Sequence, residues 1–78
     1  MSEVSLVQMK QGEEGVVVSI QGGYGLFRKL ESLGIRIGTR IKKVSSHFMK
    51  GPVIIQAGNT QVALGFGMAG KIMVRKVH

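Results

Sequence analysis

"GGYGLFRKLESLG", Gly22 to Gly34, decides what kind of molecule this is. It follows an apolar run, Val16-Val17-Val18-Ser19-Ile20, with the β-branched composition of a strand. A strand, then glycines, then a helix is how many phosphate-binding loops begin. The same order also serves simply to turn a chain from a strand into a helix, because glycine tolerates the tight backbone.

The residues favour the corner. A dinucleotide fingerprint needs G-x-G-x-x-G, whose third glycine lets helix and strand pack closely. In Gly23-Tyr24-Gly25-Leu26-Phe27-Arg28 the third place is arginine. The acid expected about 20 positions further on, to hold a ribose, is missing. Gln21 to Arg28 also lacks the lysine-then-hydroxyl ending of a P-loop. All four acids are Glu, so the Asp on which Walker-B, kinase and EF-hand sites depend is absent.

Within the stretch, the spacing predicts a helix from Gly25 to Leu33. Leu26, Leu30 and Leu33 fall at i, i+4 and i+7 with Phe27 beside them, forming one apolar stripe. Arg28, Lys29, Glu31 and Ser32 face out. Gly34 is placed to be the left-handed residue after the helix, and Ile35 to fold back onto its last turn.

Working outward, the other elements are short strands. Val16 to Ile20 is the first, with Val16, Val18 and Ile20 on one face by the two-residue period. Leu6 to Lys10 reads as a lead-in along an edge, and Gln11 to Gly15 as a turn. Thr39 to Ser45 is a strand whose apolar residues Ile41 and Val44 are three apart, which implies a bulge or two partly buried faces. Ser46 to Pro52 is a loop. "VIIQAGNTQVAL", Val53 to Leu64, is a hairpin around Gly58-Asn59 that pairs Ala57 with Thr60, Ile55 with Val62 and Val53 with Leu64. That register places four apolar side chains on one face, and a slip of one residue would expose them all. Gly65 to Gly70 is too glycine-rich for more than a single helical turn, and Ile72 to Val77 closes as the last strand.

With 78 residues the chain is read as one domain, 1–78, able to build one small core. Twelve glycines against one proline fit many tight turns. The expected fold is mainly β: a small, partly open SH3-like barrel of about five strands, with one short α-helix inserted. Strands so short hold together only by curling over a common core.

Composition limits the chemistry. No cysteine is present, which excludes disulfides, zinc–thiolate sites and iron–sulfur clusters. No run reaches the ~18 apolar residues of a spanning helix, and the first residues lack the pattern of a signal peptide. The sequence therefore reads as soluble and cytoplasmic. Catalysis needs a nucleophile with a base, or two positioned carboxylates. His47 sits beside Ser45 and Ser46, but no Asp is available to orient it, so the chain is not read as an enzyme. Met9, Met49, Met68 and Met73 are scattered without ligand spacing and suit core filling. No cofactor is expected. If a transition-metal site exists, His47 is the leading ligand candidate, since imidazole suits iron and zinc.

The net charge of +7 favours an anionic partner. Nucleic-acid binding would gain from aromatics interleaved with the cations. Only Tyr24, Phe27, Phe48 and Phe66 are aromatic, so nucleic acid is not favoured. Phe66 and Met68, set among glycines, would form a small apolar patch for a protein partner if they stay exposed, and part of the core if they pack inward.

"GGYGLFRKLESLGIRIGTRIKKVSSHFMKGPVII" followed by "QVALGFGMAGKIMV" resembles the FeoA family, small accessory proteins of bacterial ferrous iron uptake. The matching positions are Arg28, Leu30, Leu33, Gly34, Ile35, Gly38, Pro52, Ala69, Ile72 and Val74. Two departures stand out: Ile37 where the family often has proline, and Gly67-Met68-Ala69-Gly70 in place of a more charged, more helical stretch. The resemblance implies an SH3-like barrel, like the C-terminal domain of metal-dependent repressors but with no DNA-reading helices before it. It also implies a binding module for the cytoplasmic side of FeoB, a membrane transporter with a GTP-binding domain. Phe66 and Met68 are the expected partner contact. Arg40, Lys42 and Lys43, along one strand, are expected to hold the barrel at the anionic inner membrane surface. The competing classes are a free-standing RNA-binding barrel and a transition-metal sensor or carrier. Strand edges on so small a barrel also allow a homo-oligomer.

Overall fold

The computed structural model describes residues 3–45 and 51–77. Its elements are β1 (Glu3–Ser5), β2 (Glu14–Ile20), α1 (Tyr24–Ser32), β3 (Arg40–Ser45), β4 (Val53–Ala57), β5 (Thr60–Leu64), α2 (Phe66–Ala69) and β6 (Ile72–Val77). The strands form one antiparallel sheet in the order β1-β6-β2-β3-β4-β5, leaving β1 and β5 as its edges. The mainly β, partly open architecture is as the sequence led one to expect. The sheet has six strands rather than about five because β1, only three residues long, pairs along β6. Three residues are too few to show a period. The expected edge at Leu6 to Lys10 is instead a turn that buries Leu6 and Met9, at 0% and 3% exposure, and leaves Gln8 and Lys10 exposed.

The β4–β5 hairpin has the expected register, with Val53 opposite Leu64, Ile55 opposite Val62 and Ala57 opposite Thr60. All four inward side chains are buried, each contributing about 1.5–3 kcal/mol by leaving water. The period fails in β2. Its pairing with β6 shifts between Val17 and Ser19, so a bulge breaks the expected common face of Val16, Val18 and Ile20. Val17 takes the inward place before the bulge, and Ile20 packs on the core after it. β3 carries the bulge the sequence allowed, between Lys43 and Ser45.

The strand-to-helix corner is made at Gly22. With φ +122 it occupies backbone space closed to most side chains, and it turns β2 into α1. Gly23, in extended conformation, precedes the helix. At the other end the helix stops in a Schellman motif. Gly34 has φ +88, its N–H donates to Glu31 O at 3.0 Å, and the Ile35 N–H donates to Leu30 O at 2.9 Å. Leu30 and Ile35 are both fully buried, which clamps the chain where it leaves the helix. Leu26 packs on the core as expected. Leu33, the intended third member of the stripe, remains 37% exposed, because the chain reverses there and Ile35 fills the inward position.

Candidate functional site

β3 is the strand expected to bring Arg40, Lys42 and Lys43 to the membrane surface. It presents two of them. The strand alternates, with Arg40 and Lys42 exposed while Ile41 and Lys43 point into the core. Lys43 is 1% exposed. Its Nζ donates to the carbonyl oxygens of Leu6 (3.0 Å), Val7 (3.2 Å) and Met9 (2.7 Å). The β1–β2 turn aims three oxygens at one point, and the ammonium fills it. A cation so placed cannot also touch a membrane, so Lys43 leaves the contact surface. Burial pushes its pKa below the ordinary 10.5, and the charge of Glu13 partly restores it.

Arg40 is exposed but engaged, since its Nε and Nη2 both donate to Oε1 of Glu14 at 3.0 Å. Those two residues, with Ile41, Lys42, Gln56 and Gly58, line a shallow open groove across β2, β3 and β4. Lys42 alone on this strand has neither ion pair nor burial among the described residues.

Phe66 opens α2 and Met68 sits two residues on. Both are half-buried, and Met68 packs against the core beside buried Ala69. The patch they offer is therefore smaller than two free side chains would give. The backbone beside them is open: a Cβ added at Gly65 or Gly67 would meet nothing within 4 Å. On the inner side Gly70 lies against Val7, whose carbonyl Lys43 holds. His47, the metal candidate, lies outside the described residues. Among the described residues no three His, Cys, Asp or Glu side chains gather as a metal site would require, and no helix is long and apolar enough to cross a membrane.

Among the described residues the large exposed apolar side chains are Tyr24 (73%), Leu33 (37%) and Ile37 (58%), on α1 and the turn after it. The sequence pointed to none of them as a contact. The signal was there for Tyr24, which stands outside the Leu26–Leu30 stripe. Arg28 lies over the Tyr24 ring, 5.8 Å from its centroid, a cation–π distance.

Comparison with known proteins agrees with this fold. A FeoA domain model matches residues 4–76. A Methanocaldococcus jannaschii protein described as "Putative Fe(2+) transport protein A" is 43% identical over 65 residues, 83% of this chain and 77% of that protein. The crystal structure of an iron uptake regulatory protein (FeoA) is 42% identical, with a TM-score of 0.91 over 97% of this chain and 100% of that one. A manganese-dependent transcriptional repressor superposes with a TM-score of 0.88 at 22% identity, covering 96% of this chain and 42% of the repressor. That last likeness concerns the fold alone.

Proposed function

The chain belongs to the FeoA family, and from that membership we propose that it is an accessory module of ferrous iron uptake. It docks by protein–protein contact on the cytoplasmic side of a FeoB-like membrane transporter and carries out no reaction of its own. The observation that carries this reading is the match to the FeoA domain over residues 4–76. The docking point is the loop around α2, where Phe66 and Met68 are half-buried and Gly65 and Gly67 leave the backbone accessible. Glycine beside a partly covered apolar side chain lets a partner approach the main chain closely.

The test is capture of the transporter's cytoplasmic domain by the immobilised chain. Wild type is compared with Phe66→Ala, Met68→Ala and Gly67→Gln, each first shown to fold by circular dichroism. Gly67→Gln adds bulk into open space and removes no core contact, so it separates blocked docking from damaged folding. Capture by wild type and loss in Gly67→Gln is the expected result. Full capture by all three variants would move the contact away from α2. No capture by wild type would sink the proposal.

A further inference from the structure

The eleven cations of this chain fall into distinct groups. Arg40 pairs with Glu14, Arg75 with Glu3 and Lys76 with Glu13. Lys43 is buried. Three of the four glutamates are thus spent on β3 and β6. Around α1 the balance differs. Arg28, Lys29 and Arg36 are exposed and have no ion pair among the described residues, and Glu31 is the one acid near them. Lys71 joins them: its stem lies beside Gly22, where an added Cβ would be 3.5 Å from Lys71 Cδ.

Among the described residues, four unpaired cations, Arg28, Lys29, Arg36 and Lys71, and the exposed side chains of Tyr24 and Ile37 lie on or beside α1 and the turn after it, whereas Lys10 and Lys42, also unpaired, lie elsewhere. At about 100° per residue, Tyr24, Arg28 and Ser32 run along one line of α1, with Lys29 at its flank, while Leu33 falls near Leu26 at the edge of the buried stripe. Leu30 occupies the opposite, buried side. Arg36 and Ile37 follow directly in the turn after the helix. The inner half of α1 is fixed by Leu30 and Ile35, so the outer half contributes nothing to the core.

We propose that this outer face of α1, with the Arg36–Ile37 turn, docks onto an anionic lipid bilayer. The core of a protein–protein interface is closely packed and poor in lysine. Here the Arg28 guanidinium lies over the Tyr24 ring on an exposed helix face, with exposed Lys29 next to it, and Ile37 follows Arg36 in the turn beyond. A lipid surface accepts that mixture without shape matching. Arg and Lys meet phosphates while Tyr and Ile enter the headgroup boundary. Arg28 and Tyr24 already sit together as such a pair. The membrane contact that the sequence placed on β3 therefore lies on α1, because Arg40 is tied to Glu14 and Lys43 is inside.

Co-sedimentation with vesicles tests this, using phosphatidylglycerol with phosphatidylcholine against phosphatidylcholine alone. No transporter is present, so failure here leaves the α2 contact standing, and the reverse also holds. Each cation near such a surface is worth about fivefold in affinity at low salt. Arg28→Ala with Lys29→Ala is expected to weaken binding about 25-fold. Arg40→Ala with Lys42→Ala should change it by no more than about fivefold. Tyr24→Ser with Ile37→Ser should remove the binding that persists when salt screens the charges. All variants touch exposed side chains, and circular dichroism checks their folding. Equal binding by wild type to neutral vesicles, or no binding to anionic ones at low salt, would overturn the proposal. So would an unchanged Arg28/Lys29 variant, or a larger loss from the β3 pair than from the α1 pair.

Discussion

Replacing Lys43 by methionine isolates what the buried ammonium contributes. Methionine keeps a long unbranched stem among Leu6, Ile41 and their neighbours but cannot donate. Three carbonyl oxygens, those of Leu6, Val7 and Met9, then lose the donor that sits 2.7–3.2 Å away. A stranded buried acceptor costs about 1–3 kcal/mol. Against this, removing the ammonium relieves a desolvation penalty of several kcal/mol. Swapping a buried ion pair for apolar groups can be neutral, because both partners change. Here the partners are main-chain carbonyls, and no mutation removes them. A net loss of about 2 kcal/mol is expected, with the three acceptors taken near the middle of their range. Lys43→Ala adds a cavity and should lose about 4 kcal/mol, a large part of the ~4–12 kcal/mol available to a domain this size. Far-UV circular dichroism during heating is the assay, since the chain has no Trp and one Tyr. The methionine variant should melt about 8–16 °C lower. Its advantage or deficit must also depend on pH. Burial holds the Lys43 pKa below 10.5, so between the two values the unfolded chain binds more protons. Stability from this group therefore rises as pH climbs through the folded pKa towards 10.5, and the lead of wild type over Lys43→Met should widen there. A methionine variant as stable as wild type at neutral pH would refute the reasoning.

Two further changes probe single features. Ile37 lies at the second position of a turn closed by the Thr39 N–H donating to Arg36 O at 2.9 Å, with Gly38 at φ +96 in the third. Type II turns favour proline there, and the Ile37 N–H makes no hydrogen bond among the described residues, so Ile37→Pro should gain about 0.4–1 kcal/mol. A lower melting temperature would show that the turn is not preorganised for it. Glu13 accepts the Lys10 N–H at 2.8 Å and faces Lys76 at 3.3 Å, which together outweigh its desolvation and hold its pKa below 4.5. Its stabilisation is complete above 4.5 and is lost as pH falls through the folded value. Glu13→Gln should flatten the acid limb of the stability curve, and an unchanged limb would remove Glu13 from the account.

Sequence carried the parts of this fold that depend on local period and turn chemistry. The hairpin register from Val53 to Leu64 follows from alternation plus Gly58-Asn59. The Gly34–Ile35 reversal follows from a glycine placed after an apolar stripe. What sequence did not carry depends on distant partners. Nothing local to β2 says that its pairing with β6 will shift after Val17. Lys43 is the instructive case. Strict alternation from Ile41 already places it inward, yet lysine carries a strong prior for the surface. Only the Leu6–Met9 turn, more than thirty positions away, supplies the oxygens that permit its burial. The same limit applies to the charges of β3, because the ion pair that engages Arg40 comes from Glu14 on another strand.

Ile37 brings stability and function into opposition. An isoleucine 58% exposed at the second position of a turn gives the fold little, whereas proline would restrict the unfolded chain and strengthen it. An apolar side chain held in water at a site that would be more stable without it needs a use elsewhere. The proposed membrane face supplies one, because Ile37 follows Arg36 in the exposed turn directly after α1. Ile37→Pro should therefore separate two properties in one molecule. It should raise the melting temperature while lowering the salt-resistant fraction of vesicle binding, since the proline ring reaches less far into the headgroup boundary. If both rose together, the exposed isoleucine would serve neither fold nor membrane, and the α1 surface would have to rest on its cations alone.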